Sequence, residues 1–215
     1  MTLHLECADA LLSTTRAVRK RLDLTRPVPR EVILDCIRLA QQAPTGSNQQ
    51  TWRWLVVTDP DKRAALAELY RQAMPGYFSA ARDQAQAAGQ QQNARVYDSA
   101  QYLVDHLHEA PVHVIPCLLG RPLGAGIAPN AGFFASIYPA VWSFCLALRA
   151  RGLGSTLTTL HLLREAEAAK ILGLPDDVTQ VALLPVAYTI GDQFSPAQRP
   201  GPETVTYWNG WEQAG

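Results

Sequence analysis

Thr14-Thr15-Arg16-Ala17-Val18-Arg19 and Ala43-Pro44-Thr45-Gly46-Ser47-Asn48-Gln49-Gln50-Thr51-Trp52 are the two stretches on which the reading of this chain turns. In the first, two arginines stand three apart around small residues. If the segment is extended or turned, both guanidinium forks can reach one phosphate, with backbone N–H groups between them. Arginine suits that task because it donates two parallel hydrogen bonds to an oxyanion. In the second, Pro44 stops an apolar-faced helix and a run of small polar residues leads into an apolar strand. Gly46 can take a positive φ there, and Thr45, Ser47 and Asn48 supply short donors and acceptors. Each stretch alone also reads as something ordinary, a solvated basic segment or a helix-to-strand turn.

Working outward, a short amphipathic helix is expected over Glu6 to Ser13, and a second from Pro29 to Gln42 with Val32, Ile33, Cys36, Ile37 and Ala40 on its buried face. Trp54 to Thr58 reads as a buried strand, followed by a helix over 61–72. Residues 74–93 differ in composition, with a Gln/Ala-rich tract behind Met74-Pro75-Gly76-Tyr77-Phe78, and form a candidate lid. A helix over 94–109, a strand over Val112 to Leu119 and a Gly/Pro-rich loop over 120–129 follow. The pattern then gives one long apolar helix over 131–151, with Pro139 kinking it or marking a shifted start. Gly152 caps that helix. A strand over Ser155 to Thr159, a helix over Arg164 to Leu172, a strand over Val178 to Tyr188 and an aromatic tail with Tyr207, Trp208 and Trp211 complete the chain. Helices interleaved with about four strands mean an α/β or α+β class.

Composition narrows the function. The 215 residues are 47% hydrophobic, enough for one sizeable core, and the formal net charge is zero, so no field steers the chain to nucleic acid or an anionic membrane. No apolar run of roughly 18 residues is evident, so no membrane span is expected. The N-terminus lacks the basic start and apolar core of a signal peptide. Cys36, Cys117 and Cys145 lie in apolar segments and read as buried small hydrophobes; with Cys7 they form no CxxC pair, which suits a cytoplasmic location. No metal site is expected, because His106 and His108, two apart on a helix, point to different faces.

Together, T-T-R-A-V-R and A-P-T-G-S-N-Q-Q-T-W resemble the opening of the nitroreductase-like FMN-dependent oxidoreductase family. E-A-P-V-H-V-I at Glu109 to Ile115, S-I-Y-P-A-V-W at Ser136 to Trp142, L-R-A-R-G-L-G-S at Leu148 to Ser155 and the late Arg199-Pro200 extend the likeness from about Leu11 to Trp211. The resemblance implies an α+β fold: a central, mostly antiparallel sheet of about four to five strands flanked by helices. It implies one domain over 1–215, with a candidate lid at 74–93 and a tail at 189–215 that wraps the partner of an intertwined homodimer.

FMN is implied as cofactor at the subunit interface. Arg16 and Arg19 would hold its phosphate and polar edge, Ala17 would offer backbone contacts, and Arg199 would reach the same phosphate. Pro44, Thr45, Gly46 and Asn48 would come from the other subunit, and Thr158, Thr159 and Leu160 would lie beside the central ring. A cation such as Arg16 or Arg19 would stabilise negative charge on the reduced flavin. Tyr77, Phe78 and His161 are candidates to touch substrate. No protein nucleophile or catalytic side chain is implied, since the flavin carries the chemistry. NADH or NADPH would donate and a nitroaromatic, quinone or related conjugated small molecule would accept, by ping-pong hydride transfer. The absence of a G-x-G-x-x-G after a strand agrees with there being no separate dinucleotide-binding fold. The same site could instead serve dehalogenation, enone reduction or azoline oxidation, or the protein could bind and store flavin without catalysis.

Overall fold

The computed structural model describes residues 4–122, 124 and 126–211. Two compact units emerge: Arg16–Asp192, and a terminal unit made of the described parts of Met1–Thr15 and Gln193–Gly215. In chain order the elements are α1 (Leu5–Thr14), β1 (Leu22–Asp23), α2 (Arg30–Ala40), β2 (Trp52–Val57), α3 (Pro60–Ala73), α4 (Tyr77–Ala87), α5 (Gln91–His106), β3 (Val112–Leu119), α6 (Ile127–Ala135), α7 (Tyr138–Arg149), β4 (Leu153–Ser155), α8 (Glu165–Leu172), β5 (Val178–Gln180) and β6 (Leu184–Thr189).

Local chemistry sets several of these boundaries. Asp59 starts α3 by accepting the Lys62 N–H at 2.9 Å, and Pro60 occupies the first turn, where its missing N–H costs nothing. α2 buries Ile33, Cys36, Ile37 and Ala40, the stripe that its 3.6-residue spacing requires. Gly173 closes α8 in the left-handed conformation at φ 67°.

All named strand pairs are antiparallel and form one six-stranded sheet. β3 is its axis. One side of β3 pairs with β2 from Val57↔His113 to Trp52↔Leu118. The other side is shared: β6 pairs with residues 112–114 and β5 with residues 117–119. Pro116 stands at the changeover, where its carbonyl accepts the Val181 N–H at 3.0 Å. A residue with no N–H of its own is least costly at such a break in the ladder. The single strand expected over 178–188 is therefore two, because the chain must step from one half of β3 to the other.

Side chains alternate across the sheet. Val112, Val114 and Leu118 pack with α2 and α7 through Ile33, Cys36, Val141, Phe144 and Leu148. Ile115 and Cys117 face the other way, to Leu66, Leu69, Leu103, Leu107, Ala168 and Leu172 of α3, α5, α8 and the turn after α5. The result is helix, sheet, helix, as an α+β class with a largely antiparallel sheet implies, with six strands instead of four to five. Cys36, Cys117 and Cys145 are buried as expected, and burial pushes the Cys117 thiol up to about 12 and that of Cys36 to about 11.

The long apolar helix is also two. Residues 127–149 are long and apolar enough to cross a membrane by composition, contrary to the expectation of no such stretch. They break at Ser136-Ile137 and restart with Pro139 in the first turn of α7, and one side of α7 is spent on the core. The loop expected over 120–129 gives way to α6 from Ile127; residues 123 and 125 lie outside the described residues.

β4 is Leu153–Ser155, earlier and shorter than the strand expected over Ser155 to Thr159 and overlapping it only at Ser155, and it pairs with β6 on one side. Its other side receives Ala17, which bridges Ser155 in parallel, and the Val18 N–H donates to the Ser155 carbonyl at 2.9 Å. Gly154 makes this approach feasible. A Cβ there would stand 2.8 Å from Thr189 Cγ2 and 3.0 Å from Val18 Cβ. Gly154→Ala is therefore expected to cost about 2 kcal/mol through overpacking, which lowers the melting temperature by about 5 °C in a chain of this size. Thermal denaturation of the purified variant checks this; an unchanged melting temperature would mean that segment 16–19 does not lie against β4.

Candidate functional site

The segment laid on β4 carries Arg16, Ala17 and Arg19. Arg16 and Ala17 are exposed and Arg19 is half-buried. Burial lowers the Arg19 guanidinium from its ordinary value, and the neighbouring Tyr70 pulls it back up. Tyr70, from the buried face of α3, shares a 2.9 Å hydrogen bond with the Thr158 hydroxyl. Burial pushes its phenol up, while the Thr158 bond and the positive charge of Arg19 act the other way. Arg19, Tyr70 and Thr158 thus converge from three segments. Tyr70 escaped the sequence reading, although a tyrosine on the core face of a helix signals a hydroxyl that must find a partner.

The stretch 158–161 divides its work. Thr158 exchanges backbone hydrogen bonds with Leu183, at 3.0 Å and 2.8 Å, so its N–H is not available to a ligand. Thr159 is exposed at the head of a 3-10 turn over Leu160–Arg164, and its N–H bonds no other described residue. His161 is fully buried in that turn, and both ring nitrogens lack a hydrogen-bond partner among the described residues. A ring so placed faces the core, so the expected substrate contact at His161 does not follow from its position. Burial lowers His161 to about 4, with help from the second buried imidazole, His113 on β3. His113 is likewise lowered to about 4, chiefly by burial, and donates from Nε2 to the Leu107 carbonyl at 2.9 Å.

Pro44, Thr45, Gly46 and Asn48 lie on the connection from α2 to β2. The Gly46 N–H donates to the Ser136 hydroxyl at 3.0 Å, and a Cβ on Gly46 would stand 3.2 Å from that oxygen. The positive φ that Gly46 can take falls instead on Ser47 (50°), Asn48 (54°) and Gln50 (51°). Three side-chain-bearing residues in the left-handed region within four positions are strained, and such strain concentrates at ligand-gripping loops. The Gln50 N–H donates to Thr45 Oγ1 at 3.3 Å and its amide to Asn48 Oδ1 at 2.9 Å, which hold the loop in shape.

The candidate lid is largely helical. α4 and the start of α5 cover 77–93, with Tyr77 edge-on to Phe78 at 5.2 Å and to Tyr97 at 6.5 Å. Phe78 packs on the α3 side of the core, whereas Tyr77 is exposed. Arg199 belongs to the terminal unit, where its guanidinium donates to the Gln198 carbonyl at 3.1 Å. Tyr207 and Trp211 pack together there at 4.7 Å; residues 212–215 of the expected tail lie outside the described residues. His106 bonds Glu109 at 2.6 Å, and among the described residues no cluster of His, Cys, Asp or Glu could hold a metal ion.

Residues 12–188 match the model of the nitroreductase family. An iodotyrosine deiodinase from Thermotoga neapolitana is 25% identical over 177 residues, 82% of this chain and 86% of that protein. A 4-nitrobenzoate reductase from Nocardioides sp. is 37% identical over 67 residues, but these span only 31% of this chain and 26% of that enzyme. Among solved structures, an FMN- and NADPH-dependent nitroreductase from Sphigopyxis sp. strain HMH superposes with a TM-score of 0.68 at 22% identity, over 95% of this chain and 99% of that one.

Two stability measurements test these assignments. In the unfolded chain both histidines protonate near their ordinary value of about 6.5, but in the folded chain only near 4. Between those values the unfolded state binds more protons. The stability that the neutral pair contributes is complete above about 6.5 and is lost as pH falls to 4, up to about 7 kcal/mol in all for the two groups together. Denaturant titrations across that window should show the slope, and His161→Gln should flatten it. At the strained loop, Gln50→Gly should be neutral or stabilising by up to about 1 kcal/mol, and Gln50→Val destabilising by at least as much. Equal stability of the two variants would contradict the left-handed assignment.

Proposed function

The chain belongs to the nitroreductase family, and on that premise we propose that it is an FMN-dependent oxidoreductase that works as a cytoplasmic homodimer. NADH or NADPH is the donor, and a nitroaromatic, quinone or related conjugated small molecule is the acceptor. The carrying observation is the half-buried Arg19 close enough to Tyr70 for their charges to interact, with the Tyr70 hydroxyl in turn bonded to Thr158. A cation that has already lost part of its hydration is a favourable place for an oxyanion, because the charge-assisted bonds then meet less competition from water. The residues therefore fit the cofactor.

In this reading Arg16 and Arg19 hold the FMN phosphate, Ala17 adds backbone contacts, and Arg199 contributes from the tail. Pro44, Thr45, Gly46 and Asn48 of the second subunit line the flavin. Of the stretch Thr158, Thr159 and Leu160, Thr159 offers the backbone donor, since Thr158 has spent its own N–H on Leu183. Tyr70 orients the Thr158 side chain. The redox chemistry, hydride taken from the donor and handed to the acceptor in alternation, is that of bound FMN. Tyr77 is exposed on the candidate lid and is available to an acceptor.

The dimer is supported by exposed apolar groups on several elements: Leu34 and Leu39 on α2, Tyr138 and Trp142 on α7, and Trp208 and Trp211 in the tail. Val56 and Leu34 also line a groove of about 770 Å³ beside β2, the strand at the end of the sheet. Free, buried cysteines agree with a reducing compartment. A second reading, reductive dehalogenation of a halogenated aromatic at the same site, is favoured by the deiodinase match along most of the chain.

The purified protein should be yellow and should release FMN on denaturation. Arg19→Gln should weaken FMN binding by about tenfold or more and leave riboflavin binding nearly unchanged, because only the phosphate bond is lost. A colourless protein that also ignores added FMN ends the proposal. Bleaching by NADH or NADPH, followed by recovery with a nitroaromatic or with an iodophenol, separates the two readings.

A further inference from the structure

We propose that the cleft between α4 and α5 is a binding subsite for a phosphate dianion, carried as a monoester or free, built on Arg82 and Arg95 and separate from the 16–19 segment. The cleft has a volume of about 330 Å³ and is lined by Arg82, Gln86, Gln91, Ala94, Arg95 and Asp98.

Arg95 is the informative residue. Three other arginines on helical turns pair with a carboxylate three residues away: Arg38 with Asp35, Arg71 with Glu68 and Arg164 with Glu167. The equivalent partner of Arg95 is Asp98, but Asp98 is taken by Lys20, with Arg82 Nη1 at 4.0 Å. Arg95 is exposed and has no hydrogen bond or ion pair with any described residue. Lys20 has in effect removed its counter-charge. Arg82 does have a carboxylate, Asp83 at 2.9 Å. Lys20, Arg82 and Arg95 against Asp83 and Asp98 leave one positive charge uncompensated at this cleft.

The donors match a tetrahedral oxyanion. Two arginines, of which Arg82 also bonds Asp83, and two glutamines, Gln86 and Gln91, line one space whose sole lining acid is already paired. A carboxylate would occupy two oxygens' worth of these donors; a phosphate monoester presents three terminal oxygens and close to two charges above its second pKa of about 6. The volume exceeds what a phosphate group fills, so the cleft accepts the group together with part of the ester that carries it. Lys20 follows Arg19 directly, so one ion pair links this cleft to the segment assigned to the flavin phosphate. Two sources carry the required chemistry: the ribose 2′-phosphate of an NADPH-type donor, and free phosphate.

Calorimetric titration of the full-length protein with adenosine 2′-phosphate, adenosine and inorganic phosphate tests the site without relying on flavin chemistry. Adenosine 2′-phosphate should bind, adenosine should not, and Arg95→Gln should weaken binding by about tenfold or more while the melting temperature and flavin content stay unchanged. Arg95→Lys should recover only part of the loss, because the charge returns without the fork. Affinity should fall at higher salt and below about pH 6. Tighter binding of the nucleotide than of inorganic phosphate supports the site with the donor as its source; equal binding supports it with free phosphate as the source. No binding of either, or affinity that Arg95→Gln leaves unchanged, overturns the proposal. A protein that never takes up flavin but still binds phosphate through Arg95 would sink the flavin reading alone, and Arg16→Gln should lower flavin content without altering this anion site.

Discussion

β3 is hydrogen-bonded along both edges and apolar on both faces, and every layer of the main unit takes its place from that strand. Its eight residues cannot be solvated on either side, so helices must cover both. The step at Pro116, where β5 hands over to β6, decides where the chain turns back toward β4. That turn brings Thr158 opposite Leu183 and lays segment 16–19 along Ser155. The candidate site is thus assembled at a rim of the sheet by backbone pairing, before any side-chain interaction is considered.

Electrostatics then distinguishes three kinds of positive or potentially positive group. Arg19 is partly desolvated beside a buried phenol. Arg63 is consumed structurally, donating to the carbonyls of His108 and Ala110 at 2.8 Å and 2.7 Å. His113 and His161 are buried deeply enough to stay neutral, so they behave as core groups with unspent polar atoms. Residue type alone does not separate these roles. Distance to water does, because the cost of a charge depends on how much solvent it has given up.

Much of the fold was legible in sequence. The strand at Val112 to Leu119 was readable to the residue, and α2 nearly so, because a buried strand and an amphipathic helix carry their period in local composition. The misreadings share one cause. The break at Ser136-Ile137, the division of 178–189 into β5 and β6, and the short β4 all depend on which neighbour a segment meets, and apolar runs look alike whichever neighbour that is. At the site, the two arginines and the small polar loop stood out by type. Tyr70 did not, since its helix announces only a buried face. Gly46 could take the left-handed turn because glycine tolerates it most easily, yet the close approach of Ser136 accounts for that glycine and the strain falls on Ser47, Asn48 and Gln50.

What the chain's sequence settled unaided was its class and its family likeness, since both rest on local pattern and on the chemistry of single residue types; the arginines it singled out for a phosphate were candidates on the same grounds. Tertiary structure alone decided that Arg19 lies near Tyr70 and that Tyr70 bonds Thr158, that Thr158 has no N–H to offer a ligand, that His161 is buried, and that Asp98 belongs to Lys20 and not to Arg95. Each of these is a contact between residues far apart in the chain. Burial and long-range pairing are properties of the folded surface, and no local window of sequence contains them.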